Sequence, residues 1–253
     1  FDGFATNGLA VVALEGLQDQ AFFDLGDLAP DAEAPTSLVG LTYDAACAAG
    51  DCIYAIVNNW NGELRAGWLL VLQADAAGSP VLLEAVALGV NPQEAALVDS
   101  NGVLWVVNNG GYTDAGGAEG AEGAGGTLQA LDTALLGDGV SGGETLVTLD
   151  IGGDPTGIYA FSDTTAWVTT YPDDVVRTVD LASRTLDTLN DSLPEVTGPL
   201  FSTALPDQAL WAATGGFGAA GLAALDSGTG EQLAAYALEA GNGPLSCSAF
   251  SLP

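Results

Sequence analysis

Apolar residues alternate with polar or small ones in runs of five to seven, and clusters of Gly, Pro, Asn and Asp separate the runs. A period of two bounded by turn formers predicts short β-strands joined by tight turns. Four such runs, A to D, form one unit. The A strands are expected at Leu38–Tyr43, Glu94–Val98, Gly157–Phe161, Leu200–Ala204 and Leu245–Leu252. A proline leads each: Pro35, Pro92, Pro155, Pro199 and Pro244. The B strands each carry one large ring, at Tyr54, Trp105, Trp167, Trp211 and Phe4. The C strands end on Gln73, Asp132, Asp180, Asp226 and Glu15, where an acid or amide can accept turn N–H groups. D strands follow at Val81–Ala87, Thr145–Leu149, Thr185–Leu189, Leu233–Leu238 and Gln20–Leu25.

The proline spacings are 57, 63, 44 and 45 residues, and 44 more if the end of the chain is joined to its start. The fifth unit begins ten residues before the C-terminus. Residues 1–28 supply the strands it lacks. A period of this size built from four short strands predicts an all-β fold, a single five-bladed β-propeller spanning residues 1–253. The C-terminal strand would complete the N-terminal blade and remove two exposed sheet edges. The aromatic column is read as packing between adjacent blades, because large rings fill the wedge between twisted sheets.

The proline-led inner strand, the aromatic B strand Leu104-Trp105-Val106-Val107-Asn108-Asn109 and the turn Leu225-Asp226-Ser227-Gly228-Thr229-Gly230 resemble the YVTN- and NHL-type β-propellers. That superfamily includes bacterial and archaeal cell-surface and secreted propellers. The resemblance covers the whole chain and implies fold, not activity. Its members more commonly have six or seven blades, so five is a departure.

Charge narrows the partners. The chain has 33 acids against three arginines, no lysine and no histidine, for a net charge of −30. Such a surface repels nucleic acid and anionic lipid and favours cations, basic partners or plain solubility. An excess of Asp over Glu with no Lys also suits a salty environment. The longest uncharged run, Gln208 to Leu225, has the length of a membrane span. Its glycines at 215, 216, 218 and 221 make it two strands and a turn, so the chain is not read as transmembrane. The chain begins with Phe, which suggests a processed product. Cys47 and Cys52 are expected to face each other across a hairpin and to form a disulfide, implying an extracellular, cell-surface or periplasmic setting; two buried thiols are the alternative. Cys247 is read as a small apolar side chain of an inner strand.

In propellers the D–A and B–C loops gather at one mouth of the central channel. The two long B–C loops, at 58–63 and 108–126, account for the extra length of two units. Insertions on one face suggest an elaborated binding surface, here Trp60, Glu63, Tyr112, Asp114 and Tyr171. Trp60 suits stacking on a sugar or a protein partner, or anchoring its own loop. Asn58, Asn59, Asn108, Asn109, Asp154, Asp173 and Asp174 converge there as oxygen donors for Ca²⁺ or another hard cation, or else simply make the turns. Without His or Lys, Ser-His-Asp, Cys-His and Schiff-base chemistry and P-loops are excluded. The first expectation is therefore a non-enzymatic extracellular or periplasmic module that binds a protein or glycan or assembles with itself. The alternative is a Ca²⁺-dependent hydrolase or lactonase at the channel mouth, since a metal-bound water needs no histidine.

Overall fold

A computed structural model of the chain describes residues 8–13, 18–24, 36–59, 65–75, 78–98, 101–110, 125–140, 142–152, 154–160, 164–171, 176–190, 196–202, 209–214, 220–226 and 231–238. These form strands and turns. Four sheets have four antiparallel strands each, and every one is a simple up-and-down meander. The first holds β3 (Thr36–Cys47), β4 (Gly50–Asn59), β5 (Ala66–Ala74) and β6 (Pro80–Val90). The second holds β7 (Pro92–Val98), β8 (Val103–Asn108), β9 (Thr127–Asp132) and β10 (Thr145–Asp150). The third runs through β11 (Asp154–Ala160), β12 (Thr165–Tyr171), β13 (Val176–Asp180) and β14 (Thr185–Asn190). The fourth runs through β15 (Val196–Ser202), β16 (Ala209–Thr214), β17 (Ala220–Asp226) and β18 (Gln232–Leu238). Before them, β1 (Gly8–Ala13) pairs with β2 (Gln18–Asp24). The uncharged run at 208–225 is thus the β16–β17 pair, as its glycines require. No helix among the described residues is long and apolar enough to cross a membrane.

Successive first strands pack on one another, β3 against β7, β7 against β11 and β11 against β15. Each of these strands has a register shift near its start, between Leu38 and Gly40, Pro92 and Glu94, Pro155 and Gly157, and Val196 and Leu200. Proline fits there because it offers no N–H to the ladder and is tolerated at strand starts and bulges. Gly67 gives Pro92 room. A Cβ at residue 67 would lie 2.4 Å from Pro92 Cγ and from the Val57 carbonyl oxygen.

The core lies between sheets, and the two-residue period decides which side chain faces which neighbour. In β8 all six residues are buried. Leu104 and Val106 join Tyr54, Ile56, Leu69 and Val71 of the first sheet. Val103, Trp105 and Val107 face Ile158, Ala166 and Val168 of the third. The aromatic column follows this rule. Tyr54, Trp105 and Trp167 are almost fully buried, and Trp105 stands across the ladder from Ala96 on one side and Ala130 on the other. Burying each such side chain contributes roughly 1.5–3 kcal/mol, so cohesion is concentrated in the B strands. Trp211 stands in register in β16, between Phe201 and Ala224. Phe4, Cys247, Pro244 and Glu15 lie outside the described residues, as do the residues expected to close the ring between the chain ends.

The turn acids behave unevenly. Asp132 Oδ1 accepts the Ala134 N–H, and Asp180 Oδ1 accepts the Ser183 N–H, which holds the Asp180 carboxyl below its ordinary range. Gln73 departs from the column: its Nε2 donates to the Ala49 carbonyl across the sheet. Asp75, two residues later, holds that turn instead by accepting the Ser79 N–H at 2.8 Å. Cys47 and Cys52 are bonded, with Cα atoms 6.0 Å apart. They do not sit opposite one another. Cys47 pairs with Gly50 across a two-residue turn, Cys52 pairs with Asp44, and a bulge between Asp44 and Cys47 takes up the difference. Asp44 secures that bulge by accepting both the Ala46 N–H and the Tyr54 hydroxyl. Burial, with this bond to Asp44 second, pushes the Tyr54 phenol far above its usual range.

Candidate functional site

The proline end of the sheets gathers a line of buried amides. Asn58 is the last residue but one of β4, Asn91 precedes Pro92, and Asn109 follows β8. Asn58 Nδ2 donates to Asn91 Oδ1, Asn91 Nδ2 donates to Asn109 Oδ1 at 3.0 Å, and Asn109 Nδ2 donates to the Pro155 carbonyl at 3.0 Å. The line therefore links the first, second and third sheets in chain order. Gln93 Nε2 adds a second donor to Asn91 Oδ1, at 2.7 Å. Backbone bonds run alongside, from Asn91 N to the Arg65 carbonyl, Asn109 N to the Asn91 carbonyl and Gly110 N to the Val90 carbonyl.

Asn91 has a reason to be asparagine beyond its bonds. Its φ is 54°, in the left-handed region that Asn tolerates and most side chains do not. That turn directs both the side chain and the main-chain carbonyl toward Asn109.

Asn108 is buried but faces elsewhere. Its Nδ2 reaches Thr127 Oγ1 at 3.2 Å and Gln129 Oε1, and Gln129 Nε2 in turn donates to Thr145 Oγ1 and the Ala87 carbonyl. Gly89 makes way for it, since a Cβ there would meet Asn108 Cγ at 2.7 Å.

Of the expected oxygen donors, Asn58 and Asn109 are brought together through Asn91, and Asn108 is turned into the sheet. Asp154 is buried at the start of β11, with Tyr171 as its ladder partner. Asn59 pairs with Thr36 at the end of β4. The side chains of Asn59 and Tyr171 lie outside the described residues, as do Asp173, Asp174, Trp60, Glu63, Tyr112 and Asp114. Among the described residues, no group of three or more acidic or cysteine side chains is placed to hold a metal ion. Two amide oxygens, Asn58 Oδ1 and Asn108 Oδ1, are buried there without a hydrogen-bond donor.

Glu94 of β7 has a structural partner. Glu94 Oε2 accepts the Ile158 N–H of β11, the first strand of the next sheet, at 3.0 Å. Burial raises the Glu94 carboxyl above its ordinary range, and the Ile158 N–H opposes that rise. Asn91, Gln93 and Gln129 were not singled out from the sequence. The available signal was the Asn-Pro step at 91–92, which matches Asp154-Pro155 one unit later.

In comparison with solved structures, the chain resembles hydrazine synthase from Kuenenia stuttgartiensis, a protein of β-propeller type. The TM-score is 0.54 at 15% identity, over 81% of this chain and 50% of that one. The architecture is compatible with a β-propeller. A functionally unknown protein from Desulfotomaculum acetoxidans matches with a TM-score of 0.54 at 11% identity, over 87% of this chain and 58% of that one. The chain thus spans between half and three-fifths of these neighbours' lengths, and at such identity the likeness concerns fold alone. No family model matches the chain, and no curated protein matches it in sequence.

Proposed function

We propose that this chain is a non-enzymatic extracellular or periplasmic β-propeller of the YVTN/NHL type, serving as a binding, adhesion or surface-assembly module. The observation that carries this reading is the Asn58–Asn91–Asn109–Pro155 line, which spends the most conspicuous polar side chains of the proline end on joining sheets. The Cys47–Cys52 disulfide supports an oxidising compartment. At a net charge of −30, self-association requires salt or cations to screen the repulsion. Light scattering and native mass measured across salt and Ca²⁺ concentrations test this. Assembly that grows with screening supports the surface-assembly form; a monomer under every condition leaves only recognition of a protein or glycan partner.

The proposed ring has five blades and one domain, with Pro244 opening the strand that residues 1–28 complete. Support comes from the face of the first sheet turned away from the second. Ala55, Val57, Leu70 and Leu72 on that face have no solvent exposure, and the partly buried apolar residues packed against them, Leu38, Ile53, Trp68, Leu82 and Ala85, belong to the same sheet. Removing the last ten residues should lower the melting temperature of the whole protein. A truncated form that melts with the parent would sink the circular arrangement.

A second reading, a Ca²⁺-dependent hydrolase, draws on the donor-less oxygens of Asn58 and Asn108. It requires that millimolar Ca²⁺ raise the melting temperature and that a chelator reverse the rise. No shift removes it.

A further inference from the structure

Large apolar side chains are exposed at Leu41, Tyr43, Val81, Leu135, Val140 and Leu233 among the described residues. Leu41 stands in the middle of β3. The other five lie toward the β3–β4, β5–β6, β9–β10 and β17–β18 turns, the end of each sheet opposite the start of its first strand. Scattered apolar residues are ordinary on a surface, so their placement carries the argument.

Three of them surround one feature. The β9–β10 connection crosses from the second sheet onto the first, where Leu136 is fully buried in a cluster with Cys52, Val71 and Val86. Gly137, at φ +85°, comes so close that a Cβ would sit 3.4 Å from Leu83 Cδ1 and 3.5 Å from Cys52 Sγ. Glu84 Oε2 of β6 accepts the Gly137 N–H at 2.8 Å. Leu135 and Val140 are two and three residues from Gly137, and Val81 is two from Leu83. At about 3.8 Å per residue, all three fall within roughly 15 Å of this anchor. That is inside the footprint of about 800 Å² that one partner of a standard interface covers.

The same patch carries charge of one sign. Asp138 lies in the connection, Asp51 beside Cys52 and Asp75 next to the β5–β6 turn, and all three are exposed. The main chain beneath is fixed: Asp138 Oδ1 accepts the Val140 N–H at 2.7 Å, and Glu144 Oε1 accepts the Gly142 N–H. A surface already ordered loses less entropy on binding. A second copy of this face would set acid against acid, which is repulsive. A partner that offers arginine or lysine to the acids and apolar side chains to Val81, Leu135 and Val140 fits both features.

We propose that this face, opposite the prolines, is a docking surface for a cationic, apolar segment of a partner protein. The proposal rests on the reading of the chain as a binding module and places the contact on the turns, away from the long loops of the proline end.

The test uses two labelled peptides of equal charge, one repeating Arg-Leu-Gly and the other Arg-Ser-Gly. Each is titrated with the full chain and followed by fluorescence anisotropy at physiological salt, where distant charges are screened. The leucine peptide should bind about tenfold tighter than the serine peptide, and joint Leu135→Ser and Val140→Ser should erase most of that difference. If the double variant fails to fold, Val140→Ser alone, at the more exposed position, makes the same test. Asp138→Asn and Asp150→Asn each remove one charge and keep an acceptor for a backbone N–H, that of Val140 or Gly152. Asp150 ends β10, at the proline end. Asp138→Asn should weaken the leucine peptide about two- to fivefold, and Asp150→Asn should leave it unchanged. Equal binding of the two peptides, or serine variants that bind as the parent does, overturns the proposal and leaves the binding-module reading standing. Binding of neither peptide overturns the cationic partner and leaves that reading to a glycan or an uncharged protein surface. A parent dimer in light scattering that the serine variants abolish would assign the face to a second copy, which also overturns it.

Discussion

Replacing Asn91 by alanine tests whether the amide line holds the sheets together. The side chain is buried and makes three hydrogen bonds, from Asn58 and Gln93 and to Asn109. Removing it strands two donors and one acceptor. Each typical bond contributes about 1 kcal/mol, and each buried partner left unsatisfied costs roughly 1–3 kcal/mol. Alanine at a φ of 54° also bears a left-handed penalty of about 1 kcal/mol that asparagine largely escapes. Relaxation of Gln93, which is only partly buried, offsets some of this. The net expectation is a loss of about 3–5 kcal/mol, a fall of roughly 10 °C in melting temperature for a chain of this size. Glycine at the same position removes the side chain but not the permitted backbone, so Asn91→Gly should recover about 1 kcal/mol of the loss. Calorimetry and urea unfolding of the parent and both variants give the numbers. If Asn91→Ala melts within about 2 °C of the parent, the amides decorate the sheet ends and do not couple them.

Three further outcomes follow from the packing. Gly89→Ala should cost about 1–3 kcal/mol by overpacking, and combined with Asn108→Gly in a double-mutant cycle much of that cost should vanish, because the clash is with the Asn108 side chain, its Cβ included. Trp105→Ala should cost about 3–5 kcal/mol in urea unfolding. Trp105→Phe should cost less than half as much, because the indole N–H it removes has no acceptor. The raised Glu94 carboxyl binds its proton more tightly in the folded chain, so its stabilising effect is present below the ordinary glutamate range and fades as pH rises through the raised value. Glu94→Gln should flatten that part of the stability–pH profile, which melts across a pH series will read directly.

The strands were legible because a sheet writes itself into sequence with a period of two, and because every unit repeats the same steric problem. Tyr54, Trp105 and Trp167 stand where a wedge between sheets must be filled, so a column of rings was visible without coordinates. The prolines were legible for a related reason: a bulged first strand can accept a residue without an N–H at the same place each time. Asn91 and Glu84 were opaque for the opposite reason. Their roles depend on partners 18 and 53 residues away, Asn109 and Gly137, in a neighbouring unit, and nothing in a period of two or of forty-four announces a contact between units. Gln73 shows the same limit within one unit, where position in the repeat implied a turn acceptor and the lateral reach to Ala49 made it a donor. Repetition specifies what each sheet does for itself. What joins one sheet to the next is carried by single polar residues off the repeat, and those decide whether the proline end is a scaffold or a site. The Asn91 substitutions bear on that choice: a large loss of stability assigns those amides to the scaffold, and a negligible one frees them for a ligand.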